Sequence, residues 1–547
     1  MGMTDAIDLT TKQRNTLSAL LRRFLPGVAV WAYGSRVKWT ARPNSDLDLV
    51  AFTTPAQRPQ VAELKDALAE SNLPFPVDLH VWDDVPERFR EIIRKEYVVV
   101  QEAKPTESKT SIPGEWCKIT LGQVTDFLSG GTPSKDVPQY WDGTIPWVSA
   151  KDMKRFRLDD TEDHVTEDGV ANGTKLVPSD TALLLARGMT LLNDVPICVV
   201  KKPMTFNQDV KALRPKPGVQ NEFLPYLLLG NKERLLSLVD LAGHGTGRLN
   251  SDELKALDVV LPPEPEQRAI AHILGTLDDK IELNRKMNET METMARALFK
   301  SWFVDFDPVR AKAEGRDTGL PKHFADLFPD SFEDSELGEI PKEWKVGSIL
   351  DLARLLSGGT PKTDRPDYWD GPISWASAKD VSQSTGSFLV ATERNITQQG
   401  VRESATQIVP AFCTVIVARG ATTGRMVLFG QSMAMNQTCY ALMTTTETPF
   451  SLYCQLRHEI DALVHAAHGS VFDTITTSTF ASSRIVIPSL SAVTMFEERI
   501  APLFQRMLGN INESRTLATI RDTLLPKLIS GELRVKDAER VAAYART

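Results

Sequence analysis

Residues 112–152 align with residues 340–380 at a constant offset of 228 and without a gap. The first stretch reads IPGEWCKITLGQVTDFLSGGTPSKDVPQYWDGTIPWVSAKD and the second IPKEWKVGSILDLARLLSGGTPKTDRPDYWDGPISWASAKD, with more than half of the positions identical. Self-similarity of this length at one offset means that a single domain occurs twice, which removes most other architectures from consideration. Weaker echoes follow in the same order: VPSDTALLLARG (177–188) against VPAFCTVIVARG (409–420), then FNQ (206–208) against MNQ (435–437). Each copy closes on an apolar, β-branched strand pattern, LDVVLPP (257–263) or SRIVIPS (483–489), and a long helical pattern follows each. The order is domain, helix, domain, helix.

In the first helical stretch, apolar residues recur at three- and four-residue steps: Ile270, Ile273, Leu277, Ile281, Met287, Met291, Met294 and Leu298. In the second they are Phe496, Ile500, Leu503, Met507, Ile511, Leu517, Leu524 and Leu528. Such stripes, with polar residues on the remaining faces, predict two helices packing along each other as an antiparallel coiled coil. Asn284 and Asn510 fall on or beside the stripes. A polar residue inside such a seam costs stability but fixes register, whereas one at its edge simply meets water. The segment between the first helix and the second copy, rich in Pro, Gly and charge, reads as an irregular connector.

At 547 residues the chain is too long for one core, and its 42% apolar and 24% charged content is that of an ordinary globular protein. No stretch approaches the roughly 18 uninterrupted apolar residues that a membrane span requires, so no membrane partner is expected. The N-terminus lacks the basic start and apolar core of a secretory signal, and a reducing, cytoplasmic setting is expected. Five scattered cysteines without a CxxC pair argue against a disulfide framework and a zinc site, and read as small buried side chains. A net charge of −8 counts against a protein that coats DNA alone through bulk charge. Any DNA binding must use local patches or partner subunits.

EQRAIAHILGTLDDKIELNRKMNETMETMARALFKSWFVDFDP (266–308) and the ending RDTLLPKLISGELRV (521–535) resemble the two helical regions of type I restriction-modification specificity subunits. The SGGTP, YWDG and SAKD blocks resemble the start of their target-recognition domains. The resemblance implies α/β recognition domains that each read one half of a bipartite double-stranded DNA site. It also implies that the helix pair holds them apart and docks two DNA methyltransferase subunits, which restriction (translocase) subunits join. At about 1.5 Å per residue, about 38 helical residues span roughly 57 Å and bound the separation of the two footprints. The chain contains neither a GxxxxGK[ST] phosphate loop nor a [DN]PP[YF] methyltransferase motif, so methylation and cleavage are expected from partners, and no cofactor is expected for this region.

Residues identical in both copies cannot distinguish two different half-sites. Gly130, Gly131, Thr132, Tyr140, Trp141 and Trp147, with Gly358, Gly359, Thr360, Tyr368, Trp369 and Trp375, therefore belong to shared architecture, the aromatics as core and the glycines as turn formers. Arg187 and Arg419, with Lys151 and Lys379, recur on what should be equivalent surfaces and are candidates for phosphate contact, exposed salt bridging being the alternative. Asn207, Gln208, Asn436 and Gln437 have the groups to pair with adenine, but their repetition favours a structural role. Specificity is expected in the differing segments: 153–176, 189–205 and 231–252 against 381–408, 421–434 and 455–482. GHGTGRLN (243–250), with Arg248, is a candidate base-facing loop.

Ahead of the repeats, VAVWAYGSRVKWTARPNSDLDLVAF (28–52) and FPVDLHVW (75–82) resemble the minimal nucleotidyltransferase domains related to DNA polymerase beta. Asp46 and Asp48 stand two apart in an alternating strand, so both carboxylates leave one face while Leu47 and Leu49 enter the core. Asp78, between Val77 and Leu79, supplies a third carboxylate from a neighbouring strand. Three convergent carboxylates suit Mg2+, which substrate phosphates then complete. Gly34 and Ser35, ending a strand before a predicted helix, place backbone N–H groups for a bound nucleotide. The resemblance implies Asp46 and Asp48 as metal ligands and Asp78 as the group that helps activate an acceptor hydroxyl. The chain departs from the family after GSR, where Val37, Lys38 and Trp39 replace small or basic residues and a glycine.

These readings divide the chain into an N-terminal nucleotidyltransferase-like α/β domain (1–104), a first recognition domain (105–263), a central spacer helix (264–306) and a connector (307–338). A second recognition domain (339–490) and a C-terminal spacer helix with its tail (491–547) complete it. Two other readings stand beside the specificity subunit: a nucleotidyltransferase that modifies a protein or RNA and uses the repeats for targeting, and a scaffold that no longer reads DNA.

Overall fold

The computed structural model describes residues 7–38, 40–42, 45–53, 57–69, 71, 73–101, 116–242, 245–467 and 474–535. The chain forms two compact units, one built on Met1–Cys117 and the other on Lys118–Ile529.

In the first unit, helix α1 (Thr11–Phe24) starts from a capping box in which Gln13 Oε1 accepts the Thr10 N–H at 2.8 Å. A four-stranded sheet follows, of β1 (Val30–Tyr33), β2 (Leu47–Ala51), β3 (Val77–Val81) and β4 (Val98–Gln101), in the order β3-β2-β1-β4. Only β2 and β3 run parallel, as expected for a pair joined by a crossover helix, α2 (Arg58–Ala69). Leu47 and Leu49 are fully buried with Leu17, Leu21 and Leu64 on one face of the sheet, as the alternation requires. Tyr33 and Val50 lie in the separate apolar cluster of the opposite face. The helix expected after Gly34–Ser35 is instead a set of turns through Lys38, closed by Lys38 N–H to Gly34 O at 3.2 Å. Trp39 lies outside the described residues.

In the second unit the two copies fold alike. The first has a five-stranded sheet ordered Thr125–Ser129, Val210–Pro215, Ala182–Leu185, Ile197–Val200, Arg157–Leu158. The second repeats it as Ala353–Ser357, Cys439–Thr444, Thr414–Val417, Met426–Phe429, Phe388–Leu389. In both, the last strand is parallel to its neighbour and the other pairings are antiparallel. The start and end of each copy meet: the Leu121 N–H donates to Leu257 O at 2.8 Å, and Lys345–Gly347 pairs with Ile485–Ile487.

The central helix, Glu264–Phe303, has 40 residues and the C-terminal helix, Leu490–Ser530, has 41. Their contacts run in opposite senses along the chain. Asp278 meets Arg521 at 2.6 Å, Lys280 meets Glu513 at 3.2 Å, and Asn288 Nδ2 donates to Met507 O at 3.2 Å. The helices therefore lie antiparallel. Asn284 and Asn510 are each 1% exposed, at the seam and not at its edge. Asn284 Nδ2 donates to Glu513 (2.8 Å) and Asn510 Nδ2 to Asn288 Oδ1 (2.8 Å), so these amides tie one helix to the other. Met294 departs from the expected stripe and is exposed, because the seam continues through Ala295, Phe299 and Phe303 at four-residue steps.

Each copy is also clamped by its own helix at one equivalent position. Gln267 Oε1 accepts the Gln220 N–H (2.8 Å), and its amide donates to Gly218 O (2.9 Å) and Pro262 O (2.8 Å). In the second copy Glu497 accepts the N–H groups of Phe450 (3.1 Å) and Ser451 (2.7 Å) at the start of helix Pro449–Ala467. Burial raises the Glu497 carboxyl above the usual range, partly offset by these hydrogen bonds.

The connector is not irregular. It holds a helix, Asp307–Ala313, and a hairpin of Phe332–Ser335 with Gly338–Pro341. Phe306, just before it, and its own Phe328 are buried against Trp344 and Trp302, and this aromatic packing orders a stretch whose Pro, Gly and charge content suggests otherwise. Four cysteines are buried as expected, but Cys117 is exposed. Among the described residues no helix is long and apolar enough to cross a membrane.

Candidate nucleic-acid interface and nucleotide site

The blocks shared by the two copies build one frame twice. Trp147 Nε1 donates to Gly131 O and Trp375 Nε1 to Gly359 O, both at 3.0 Å. Each ring meets a second tryptophan edge to face at 5.2 Å, Trp141 or Trp369. These aromatics hold the domain together. The glycines are needed for close approach, not for a turn: a Cβ at Gly130 would lie 2.1 Å from Phe206 O, and one at Gly358 2.0 Å from Asn436 O. Neither has a positive φ. Thr132 donates to Gln208 Oε1 at 2.5 Å, and Thr360 donates likewise to Gln437. Asn207 and Asn436 accept the N–H groups of Asp209 (3.1 Å) and Thr438 (3.2 Å). All four amides serve internal hydrogen bonds.

The four repeated cations divide into two kinds. Lys151 is ion-paired with Glu162 (3.1 Å) and Asp163 (2.9 Å), and Lys379 with Glu393 (2.6 Å). Arg187 and Arg419 are exposed, and among the described residues neither guanidinium has an ion-pair partner. Arg187 lies directly opposite Arg248 in the three-stranded sheet formed with Thr246–Leu249 and Val239–Ala242. Two like charges facing across strands are destabilising relative to an unlike pair. Gly243 and His244 of the candidate loop lie outside the described residues, as do residues 468–473 of the corresponding segment.

In the first unit, Asp46, Asp48 and Asp78 bring one carboxylate oxygen each to within 4.8 Å of one another. Register explains this: Asp48 is paired with Asp78 across β2 and β3, and with Tyr33 across β1 and β2. Burial first, then repulsion from Asp46 and Asp78, holds the Asp48 carboxyl above the usual range, while His80 pulls it down. Burial and the same carboxylates push the Tyr33 phenol up to about 12. Gly34 has φ +80°, and a Cβ there would lie 2.1 Å from Asp48 Oδ2, so the turn after β1 needs a glycine twice over.

Two residues of this site were not singled out from the sequence. Arg36 is buried, stacks 3.7 Å over Phe75 and donates to Ser45 O (2.7 Å), which fixes the chain entering Asp46. His80, 4.0 Å from Asp78, leaves β3 on the same face, and the period of two that located Asp78 also reaches it.

Compared with known proteins, residues 113–293 and 341–520 match the family described as the type I restriction modification DNA specificity domain. The chain belongs to this family and is a type I restriction-modification specificity subunit with two recognition domains. More narrowly, it carries ahead of them a domain, residues 15–106, that matches the family polymerase beta, nucleotidyltransferase. The specificity subunit of the type I restriction enzyme MjaIX of Methanocaldococcus jannaschii is 27% identical over 452 residues, covering 78% of this chain and 95% of that protein. That of the HindI enzyme of Haemophilus influenzae is 28% identical over 359 residues, 57% of this chain and 77% of that protein. A probable protein adenylyltransferase, MntA, of Haemophilus influenzae is 42% identical over 104 residues, 19% of this chain and 91% of that protein. Among solved structures, a type I restriction-modification S subunit from M. genitalium covers 77% of this chain and 98% of its own, at 15% identity and a TM-score of 0.48.

Proposed function

We propose that the two recognition domains read the two halves of a bipartite double-stranded DNA site while the helix pair sets their separation and docks DNA methyltransferase subunits. The observation that carries this reading is the symmetry of attachment. The first domain contacts the start of the central helix through Gln267, the second contacts the start of the C-terminal helix through Glu497, and the helices are antiparallel. Two like domains so placed suit a duplex, whose two strands present equivalent surfaces in opposite directions. Arg187 and Arg419 supply the repeated phosphate contacts. Two methyltransferase subunits fit the two equivalent halves of the helix pair, and restriction subunits join through them.

Leu283 and Met294, 52% and 54% exposed, lie eleven residues apart on one side of the central helix and offer an apolar docking stripe. The test is a map of methylated adenines in cells that carry the chain and its cognate methyltransferase. A two-part motif that vanishes with the chain supports the reading, and an unchanged map overturns it.

The N-terminal domain supports an accessory reading, nucleotidyl transfer to a protein or RNA hydroxyl, on the strength of its three convergent carboxylates. The all-oxygen donor set and the mutual repulsion at Asp48 fit a Mg2+ ion held by Asp46 and Asp48, which would neutralise substrate phosphates. Gly34 and Ser35 line the nucleotide, and Asp78 helps activate the acceptor hydroxyl. Labelled nucleotide incorporated by the native chain, and lost in Asp46→Ala with Asp48→Ala, supports this role; equal labelling of both rejects it.

A further inference from the structure

Strand register makes three positions in the two recognition domains equivalent although their residues differ. The reference point is the serine of the shared SGGTP block, Ser129 or Ser357. Across from Ser129 stands Lys211, and across from Ser357 stands Tyr440. Thr174 Oγ1 donates to Phe206 O (2.8 Å) and Thr406 Oγ1 to Met435 O (3.2 Å), carbonyls that also accept from Gly131 and Gly359. The next residues, Lys175 and Gln407, are therefore counterparts. Arg187 pairs with Arg248, and the repeated Arg419 pairs with Thr474, so Arg248 corresponds to Thr474.

In the first domain these positions surround one patch; in the second, Gln407 and Tyr440 both meet Ser357, and Thr474 stands beside Arg419. Lys211 Nζ donates to Ser129 Oγ at 2.6 Å, and Gln407 Nε2 donates to Ser357 O at 2.8 Å. Lys175, Arg248 and Gln407 are exposed. In the first domain the patch is crowded with cations: partial burial, then Lys175, Arg248 and Lys255, hold the Lys211 amine below its ordinary range. A surface that keeps several cations together is adapted to an electron-rich partner.

From this juxtaposition we infer that Lys175, Lys211 and Arg248 in the first domain, and Gln407, Tyr440 and Thr474 in the second, are the base-reading positions on a shared phosphate-gripping frame. The inference rests on the two-domain DNA reading proposed above and adds which residues discriminate. Phosphate contacts need the same chemistry in both domains, which Arg187 and Arg419 provide; base contacts need different chemistry, which these three pairs provide. The first set offers only donors and suits the N7 and O6 acceptors of guanine. Among the described residues Gln407 bonds only Ser357, which leaves one N–H and its oxygen, the donor and acceptor that the N7 and N6 of adenine require. The first half-site thus has fixed guanine and the second fixed adenine at the contacted positions.

The experiment exchanges the sets in the full chain assembled with its methyltransferase, and reads base preference at every position of the motif. Lys175→Gln with Arg248→Thr changes exposed residues only; Lys211→Tyr is added in a second variant, and Gln407→Lys with Thr474→Arg forms the reciprocal one. The expected result is a change of preference at one half-site, about 10- to 100-fold at the affected base, with the other half-site and the spacer unchanged. The untouched half-site reports that the variant is folded and assembled. An unaltered motif with affinity lowered evenly on all duplexes would make these residues phosphate contacts and overturn the inference. A wild-type complex without any two-part motif would instead sink the reading on which it rests.

Discussion

Glu497 shows what one side chain contributes to holding a recognition domain on its helix. Its counterpart Gln267 performs the same clamp without charge, so Glu497→Gln is expected to retain the fold. Glu497→Ala leaves two buried N–H groups without acceptors and is expected to cost about 1–3 kcal/mol in thermal or urea unfolding. The pH dependence has a definite sign. Because the folded carboxyl is raised, its contribution is fully present below the unfolded carboxylate pKa and is lost as pH rises through the folded value. Glu497→Gln removes that slope, and a slope unchanged in the variant would show that another group carries it. In the N-terminal unit, Gly34→Ala is expected to cost about 1–3 kcal/mol and to displace Asp48, read as a lower melting temperature and weaker Mg2+ binding. The carboxylates of this site were legible in the sequence because a period of two and a flanking apolar pattern suffice to converge Asp46, Asp48 and Asp78. Arg36 was not, since its partners Phe75 and Ser45 become neighbours only through the fold.

Among the elements, the long helices and the strands closing each copy follow from periodicity, and Asp258–Leu261 and Ile485–Ile487 lie where the β-branched runs place them. The order of the connector was hidden because it depends on aromatics separated in sequence, Trp302 with Phe328 and Phe306 with Trp344, that meet only in the fold. Met294 was misplaced by a three-residue step where the seam takes four. That exposed position gives a prediction: Leu283→Glu with Met294→Glu should leave stability within about 0.5 kcal/mol, as for ordinary surface changes, yet abolish co-purification with the methyltransferase. Retained co-purification would remove the stripe from the docking surface. Inside the seam the expectation is reversed. Arg521→Ala removes the cation from the buried Asp278 carboxylate, which keeps only the Tyr226 hydroxyl as a partner among the described residues, and should cost up to about 3–5 kcal/mol, whereas Asp278→Leu with Arg521→Met should cost less than the single change. A double-mutant cycle on urea unfolding decides between coupled and independent contributions.

For the whole molecule, two like domains at opposite ends of antiparallel helices make recognition a matter of length. Inserting one heptad into each helix, level with the other, lengthens the pair by about 10 Å. At about 3.4 Å per base pair, the gap between methylated half-sites is expected to widen by roughly 3 base pairs with both half-sites unchanged. An unchanged gap would mean that the helices do not set it. The duplication itself was plain from a gapless alignment, but the equivalence of Arg248 with Thr474 was not, because the copies diverge beyond alignment there and only strand pairing restores it. The meeting of each copy's first and last strands has a consequence for inheritance. Since the chain enters and leaves a recognition domain at one place, Leu121 beside Leu257 and Gly347 beside Ile485, genetic exchange at two neighbouring joints replaces a whole reading head while the ruler stays intact. A lineage built this way acquires a new target in one exchange bounded by two crossovers, without passing through a half-changed domain that reads nothing.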